Sequence, residues 1–176
     1  MEAMKEEQIL ADKVGKQAVY DYLTTKYGTA LRRLYDTDHK SKQCKCDFVA
    51  EYANSFINFI EVKTRDVVSG LYQKTRIDAA KVDELWRLKC SMSGCSKSFI
   101  YILFLDGFLY RLDLDAFYGR VEPELHSVRG SKLGRGNEMV RKPVYDIDLE
   151  MYGECLGMFD LNLRDKDRKY YDYEIK

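Results

Sequence analysis

Three residues in one part of the chain have types and spacing suited to holding a metal ion beside a phosphate. Glu61 and Lys63 are one residue apart, and Asp47 precedes them. Alternate side chains of an extended strand share a face, so Glu61 and Lys63 point the same way. If the segment holding Asp47 pairs with that strand, the two carboxylates and the Val62 backbone carbonyl form a hard-oxygen site for Mg²⁺ or Mn²⁺. Lys63 is then placed to orient an attacking water or to stabilise charge developing on a phosphate.

Two predicted strands position these residues. Residues 46–52 form the first strand and residues 56–63 the second. The second strand has apolar residues on both faces, a pattern typical of a central strand covered by helices on each side. A charged pair at the end of such a strand requires compensation, because buried charge is costly unless it is paired or bound to metal.

The remaining elements are read from hydrophobic spacing and capping residues. Residues 6–27 are predicted to form a helix, which Gly28 ends. Its apolar stripe recurs every four residues, at Leu10, Val14, Ala18 and Tyr22. Asp78 is predicted to cap a second helix that runs to residue 89.

Two further strands, 99–105 and 108–114, are joined by an Asp106-Gly107 turn. The order helix, strand, strand, helix, strand, strand predicts a mixed sheet with helices on both faces. The polar and basic segments 29–43 and 119–143 are interpreted as loops. Residues 144–149 are interpreted as an edge strand or the lead into a helix. No element is assigned to residues 64–77 or to the tail from residue 160.

The site pattern resembles that of the PD-(D/E)XK nuclease superfamily, in which an Asp is followed, after a variable gap, by Glu-X-Lys. The matching residues are Cys46-Asp47 and the run from Ile60 to Thr64, and the resemblance covers residues 10–115. It implies a three-layer α/β/α, restriction-endonuclease-like domain with a central mixed β-sheet and metal ions at the strand ends. It also implies hydrolysis of a DNA phosphodiester by metal-activated water.

One departure from the family concerns the first helix, where many members place a Glu that faces the site. Aligning the helix by its end puts Gln17 near that position. An amide oxygen can ligate metal or hold water but supplies no charge. The alternative is a partly buried polar residue hydrogen-bonded to backbone, with Asp21 or Asp12 as substitutes for the acid. Cys46 stands where the family has a proline before the Asp.

Basic residues outside the motif suit contact with a nucleic-acid backbone, which needs positive charge but no reading of bases. A solvated surface is the alternative interpretation. The candidates are Arg32, Arg33, Arg129, Lys132 and Arg135. Lys+Arg and Asp+Glu are both 29, so the formal net charge is zero. Zero net charge opposes a protein that only coats nucleic acid, but not a nuclease with a local basic patch.

The cysteines offer a weaker metal hypothesis. A zinc site could use Cys44, Cys46, Cys90 and Cys95. The first pair is separated by a single residue, unlike the usual knuckle, so small apolar roles are the simpler interpretation. No apolar run of about 18 residues predicts a membrane span, and the first residues lack signal-peptide character. A cytoplasmic location with reduced thiols is expected.

Together these features predict a single nuclease-like domain over residues 1–176, with its core at about 6–117. The expected activity is metal-dependent hydrolysis of DNA in repair, recombination or a mobile element, and a homodimer would allow two strands to be cut. The first rival is a catalytically inactive nuclease-fold module that binds nucleic acid or a protein partner, which Gln17 favours. The second is an interaction protein of unrelated α/β fold in which Glu-X-Lys is accidental.

Overall fold

The computed structural model contains both helices and strands, and it describes residues 2–37, 46–71, 73–92, 94–129, 139–159 and 173–174. The helices are α1 (Glu2–Tyr27), α2 (Ala79–Cys90), α3 (Leu114–Phe117) and α4 (Leu149–Tyr152). The strands are β1 (Leu31–Asp36), β2 (Phe48–Tyr52), β3 (Ile57–Arg65), β4 (Lys74–Asp78), β5 (Ser96–Phe104), β6 (Phe108–Asp113), β7 (Glu124–Arg129), β8 (Met139–Asp148), β9 (Gly153–Met158) and β10 (Tyr173–Glu174). None of the described helices is both long and apolar enough to cross a bilayer.

Two sheets contain the described strands. The larger has the order β10-β1-β2-β3-β5-β6-β9, and the smaller has the order β4-β8-β7. In the larger sheet β3 and β5 run parallel, and each of the other neighbouring pairs is antiparallel. Parallel neighbours need a crossover, which here consists of β4 and α2. That crossover carries α2 onto one face of the sheet.

The centre of the larger sheet is covered on both faces. On one face, α1 packs Val19 and Leu23 into a cluster with Ile60 of β3. On the other face, α2 packs Val82 into a second cluster with Phe59 of β3. A strand with a continuous run of apolar residues is typically buried on both faces of its sheet, as β3 is here. The predicted three-layer α/β/α arrangement around a mixed sheet is confirmed, and it matches the layers that the resemblance implies.

A close approach fixes the distance between α1 and β3. A Cβ atom at Gly15 would lie 2.7 Å from Thr64 Cγ2 and 3.1 Å from Val62 Cγ1. The absence of a side chain at Gly15 therefore lets the middle of α1 lie against the carboxyl half of β3. This contact brings the next helical residue, Lys16, to Asp47, which immediately precedes β2.

The predicted elements of the core are confirmed with small changes in their ends. The first helix ends at Tyr27, and Gly28 follows with φ +45°. Asp78 caps α2 through a hydrogen bond that its side chain accepts from the Ala80 N–H. The predicted strands at 46–52, 56–63, 99–105 and 108–114 correspond to β2, β3, β5 and β6.

The interpretation of residues 29–43 as a loop was wrong for β1. Leu31 and Leu34 are buried, whereas Arg32 and Arg33 are exposed. The register with β2 shifts between Leu31 and Arg33. An extra residue at that irregularity breaks the strict alternation by which a strand is recognised in sequence.

The interpretation of residues 119–143 as a loop was also wrong in part, because β7 and the start of β8 lie there. Residues 130–138 fall outside the described ranges. Residues 144–148 belong to β8, so the prediction of a strand there is confirmed. The strand lies between β4 and β7, however, and is not an edge strand. The unassigned segments contain β4 and β10, and β9 lies at residues 153–158, for which no element was predicted. Three of the six residues of β9 are exposed, the other three are half-buried and none is buried, so hydrophobic alternation gives no signal for this strand.

Gly15→Ala is expected to destabilise the protein despite the better helix propensity of alanine. Overpacking costs about 1–3 kcal/mol, whereas replacing a helical glycine gains about 1 kcal/mol. Thr64→Ser removes the methyl group that the new Cβ would strike. The double variant should therefore recover most of the loss in urea denaturation. If Gly15→Ala is as stable as the wild type, the close packing of α1 on β3 is wrong.

Candidate active site

The site lies beside the first residue of β2, where the pairing of β2 with β3 ends and β3 continues beyond it. Pairing between the two strands covers Ile57 to Ile60 on β3 and ends at Phe48 on β2. The Asp47 N–H donates to the Ile60 carbonyl at 2.8 Å. The Asp47 carboxylate then accepts the Val62 N–H through Oδ2 at 2.7 Å. A side chain therefore takes the place of the backbone acceptor that a longer β2 would have provided.

This hydrogen bond also fixes the direction of the Val62 carbonyl. The N–H and C=O of one strand residue point to the same side. The Val62 carbonyl oxygen consequently faces the edge of β3 on which Asp47 lies. Thr37, the residue after β1, anchors Asp47, because its N–H and its Oγ1 both donate to the Asp47 carbonyl oxygen, at 3.0 Å and 3.1 Å.

Glu61 is buried at the same end of β3, facing α2. Its side chain is 3% exposed, and its two oxygens meet two different lysines. Lys63 Nζ lies 2.5 Å from Oε1. Lys81 Nζ, from the first turns of α2, lies 3.0 Å from Oε2. The carboxylate is thus held from its own strand and from the helix that covers it.

A third lysine approaches from the opposite helix. Lys16 of α1 is 4% exposed. Its Nζ lies 3.4 Å from Asp47 Oδ1 and 4.0 Å from Asp36 Oδ1. Asp36 is itself buried at the end of β1. Lys16 therefore provides the positive charge that two neighbouring carboxylates require away from bulk water.

Burial raises the pKa of the Glu61 carboxyl, and the nearby charge of Asp47 raises that pKa further. Lys63 and Lys81 act in the opposite direction without cancelling the effect. Burial by itself would lower the pKa of Lys81, but the charge and hydrogen bond of Glu61, together with the charges of Asp47 and Glu84, outweigh burial, so the Lys81 pKa is raised. The carboxylate thus keeps Lys81 protonated, while the interior disfavours ionisation of Glu61.

The donors at this end of β3 suit a hard divalent cation. They comprise the carboxylates of Asp47 and Glu61 and the carbonyl of Val62, all oxygen. Mg²⁺ is usually held by one or two carboxylates, with water and phosphate completing its shell. Among the described residues, no cluster of three or more His, Cys, Asp or Glu is placed to hold a metal. A cation here would accordingly have few protein ligands.

Gln17 is occupied by a contact within its own helix. Its Nε2 donates to Asp21 Oδ1 at 2.7 Å, one turn further along α1. Its Oε1 is buried and has no hydrogen-bond partner in the described part of the chain. The α1 side chain that contacts Asp47 is that of its neighbour, Lys16.

The predicted DNA contacts are spread over the molecule. Arg32 and Arg33 are exposed on β1. Arg33 Nη1 lies 3.0 Å from the Tyr35 hydroxyl and 3.9 Å from Glu51. Arg129 ends β7 in the smaller sheet, and Lys132 and Arg135 lie outside the described residues. The described cations closest to the two carboxylates are instead the three lysines of the site.

Sequence reasoning missed Lys16 and Lys81, although both carried a signal. Lys16 precedes Val19 and Leu23 by three and seven residues, which puts it on the apolar stripe of α1. Lys81 precedes Leu85 by four residues on the inner face of α2. A lysine at an apolar position of a helix indicates that a buried anion lies opposite.

Comparison with known proteins gives structural similarity to solved chains. No protein-family model matches the chain, and no curated protein matches it. The fold is similar to that of Archaeoglobus fulgidus Hjc, a Holliday junction resolvase from an archaeal hyperthermophile, with a TM-score of 0.47 and 14% identity over 81% of this chain and 91% of that chain. The α/β/α assignment itself rests on the helices and sheets of this chain.

Glu61→Gln is expected to stabilise the metal-free protein at neutral pH. The folded-state pKa of Glu61 is raised, so the ionised carboxylate costs stability once the pH exceeds the unfolded-state pKa. The melting temperature of the variant should exceed that of the wild type by about 2–4 °C, equivalent to about 1 kcal/mol. The gap should close on acidification, as Glu61 becomes protonated. Glu122→Gln, at an exposed position, is the matched control, and a lower melting point for Glu61→Gln would refute the assignment.

Proposed function

We propose that the protein is a metal-dependent nuclease that hydrolyses phosphodiester bonds of DNA. The observation that supports this most is the bond from the Val62 N–H to Asp47 Oδ2, at 2.7 Å. It joins the upstream Asp to the middle residue of Glu-X-Lys. The two strand ends that carry the motif are therefore in contact, as a functional site requires and an accidental motif does not.

Each residue has a role that follows from its surroundings. Asp47, Glu61 and the Val62 carbonyl would hold Mg²⁺ or Mn²⁺, which when bound activates water and neutralises charge on a phosphate. Lys63 is the most exposed of the three lysines of the site, at 33%. Its ammonium is therefore best placed to meet the substrate and to stabilise negative charge on a phosphate oxygen.

With a divalent cation bound, the site would carry net positive charge and favour a polyanionic substrate. Three lysines lie around Asp47 and Glu61, and Arg65 continues the same face of β3 as Glu61 and Lys63. Arg65 Nη2 donates to the Arg76 carbonyl at 2.6 Å, which ties the end of β3 to β4. A nucleic-acid backbone brings one negative charge per phosphate to such a surface. A homodimer would present two of these sites to the two strands of a duplex.

A second candidate is a nuclease-fold module that binds nucleic acid or a protein without cutting. The buried Lys16 favours it, because a fixed positive charge 3.4 Å from Asp47 opposes binding of a cation there. Calorimetric titration with Mn²⁺ separates the two candidates. Heat of binding that Asp47→Asn abolishes supports the nuclease, and its absence from the wild type supports the binding module.

Lys63→Ala is expected to bind metal as the wild type does. Its cleavage rate should fall on the order of 100-fold, the usual effect of removing a group that stabilises charge in the transition state. The measurement is cleavage of linear, circular and branched DNA with Mn²⁺. Lys97→Ala is the matched control, because Lys97 is also a strand lysine paired with a carboxylate, Asp113, at 2.7 Å.

The cleavage rates of the two variants distinguish the possible roles of Lys63. Cleavage lost in Lys63→Ala and kept in Lys97→Ala supports the proposed role. Equal cleavage by the wild type and Lys63→Ala would show that Lys63 only pairs with Glu61. A wild type that cuts none of the three DNA forms, although it is folded and loaded with metal, would contradict the nuclease assignment.

A further inference from the structure

Lys81 contacts the site from outside the motif. It lies in the third position of α2, and its Nζ lies 3.0 Å from Glu61 Oε2. The other oxygen of the same carboxylate is taken by Lys63. A divalent cation that binds Glu61 must therefore compete with ammonium groups already in place. Competition of this kind lowers cation affinity without changing the ligands.

Lys16 and Lys81 differ in how readily their side chains could move away from the carboxylates they contact. Lys16 is almost completely enclosed and lies near two carboxylates, Asp36 and Asp47. The Lys81 side chain is 26% exposed. It also lies near Glu84, one helical turn further along α2, whose charge acts on Lys81. Lys81 can consequently leave Glu61 and still remain close to a negative charge.

We propose that Lys81 is a displaceable counter-ion of Glu61, which a divalent cation replaces and which then contacts a phosphate of the bound nucleic acid. This inference rests on the proposed nuclease function. Lys81 would hold metal affinity down in the absence of DNA. DNA would raise metal affinity, because a phosphate that binds the displaced ammonium removes the competitor from Glu61.

Coupling of this kind is reciprocal, so a cation must raise DNA affinity by the same factor by which DNA raises cation affinity. Lys81 is a positioning residue in this scheme, since it acts on the metal through Glu61. A purely structural role makes the opposite prediction. If Lys81 only held Glu61 in place, its removal would misplace the carboxylate and weaken metal binding.

Lys81→Met tests the proposal by calorimetric titration of the whole protein with Mn²⁺ at mildly alkaline pH, without DNA. Mn²⁺ affinity should rise about 5–10-fold over the wild type, equivalent to about 1–1.4 kcal/mol. Lys89→Met is the matched control, because Lys89 is on the same helix and pairs with Asp115, away from Glu61. Its Mn²⁺ affinity should equal that of the wild type.

The coupling is tested by repeating the titrations with Ca²⁺ in the presence of a short DNA duplex, with electrophoresis to verify that the duplex stays intact. DNA should raise Ca²⁺ affinity in the wild type and in Lys81→Arg, which keeps the charge. The increase should be smaller in Lys81→Met, where phosphate can still ligate the ion but no ammonium has to be displaced from Glu61. Lys81→Gln serves in place of Lys81→Met if the latter does not fold, as judged by circular dichroism.

Failure of the proposed role of Lys81 and failure of the proposed nuclease function give different results in these titrations. Mn²⁺ that binds Lys81→Met no more tightly than the wild type, with both folded, overturns the role of Lys81 and leaves the nuclease intact. An effect of DNA on Ca²⁺ affinity that is as large in Lys81→Met as in the wild type overturns it as well. If the wild type, Lys81→Met and Lys89→Met all fail to bind Mn²⁺, the proposed function fails first, and the role of Lys81 falls with it.

Discussion

Burial of the Glu61 carboxylate at the end of β3 imposes the strictest physical requirement on this fold. A carboxylate that is 2% exposed cannot remain ionised among apolar neighbours without compensating charge. Lys63 provides part of that charge from the same strand, and Lys81 provides the rest from α2. The crossover from β3 to β5 must therefore place the start of α2 directly over the end of β3, and β4 sets that position.

Asp47 imposes a similar requirement where the pairing of β2 with β3 ends. It ends the pairing of β2 with β3 by using a side chain as an acceptor. Its charge is met by Lys16, which the close approach of Gly15 to β3 brings into reach. The three-layer arrangement thus has an electrostatic role as well as an apolar one. Each helix brings one lysine to one carboxylate of the strand pair between them.

The result is a site whose charges are balanced within the protein. The formal charges of the described groups sum to zero over Asp36, Asp47, Glu61, Lys16, Lys63 and Lys81. A balanced site is stable without a bound ion, but it opposes a divalent cation until a lysine moves. The difference in exposure between Lys16 and Lys81 decides which contact can open. Under the proposed role of Lys81, affinity for metal and affinity for a polyanion would be linked for the same reason.

The sequence by itself determined the central elements and the motif. The apolar stripe of α1, the Asp78 cap and the apolar runs of β3 and β5 are local signals. Glu61 and Lys63 share a face by alternation alone. The strands β1, β4 and β9 could not be found in this way, because a bulge, short length or exposure hides their alternation.

Only the tertiary structure decided which charges meet. Gln17 was singled out by its distance from the end of the helix, yet the α1 residue in contact with Asp47 is Lys16. Lys81 lies far from Asp47 along the chain and reaches Glu61 only through the packing of α2 on β3. The physical reason is that charge pairing depends on distances of a few ångströms between elements. Periodicity fixes the face of a helix, but the depth and rotation of its packing select the residue on that face.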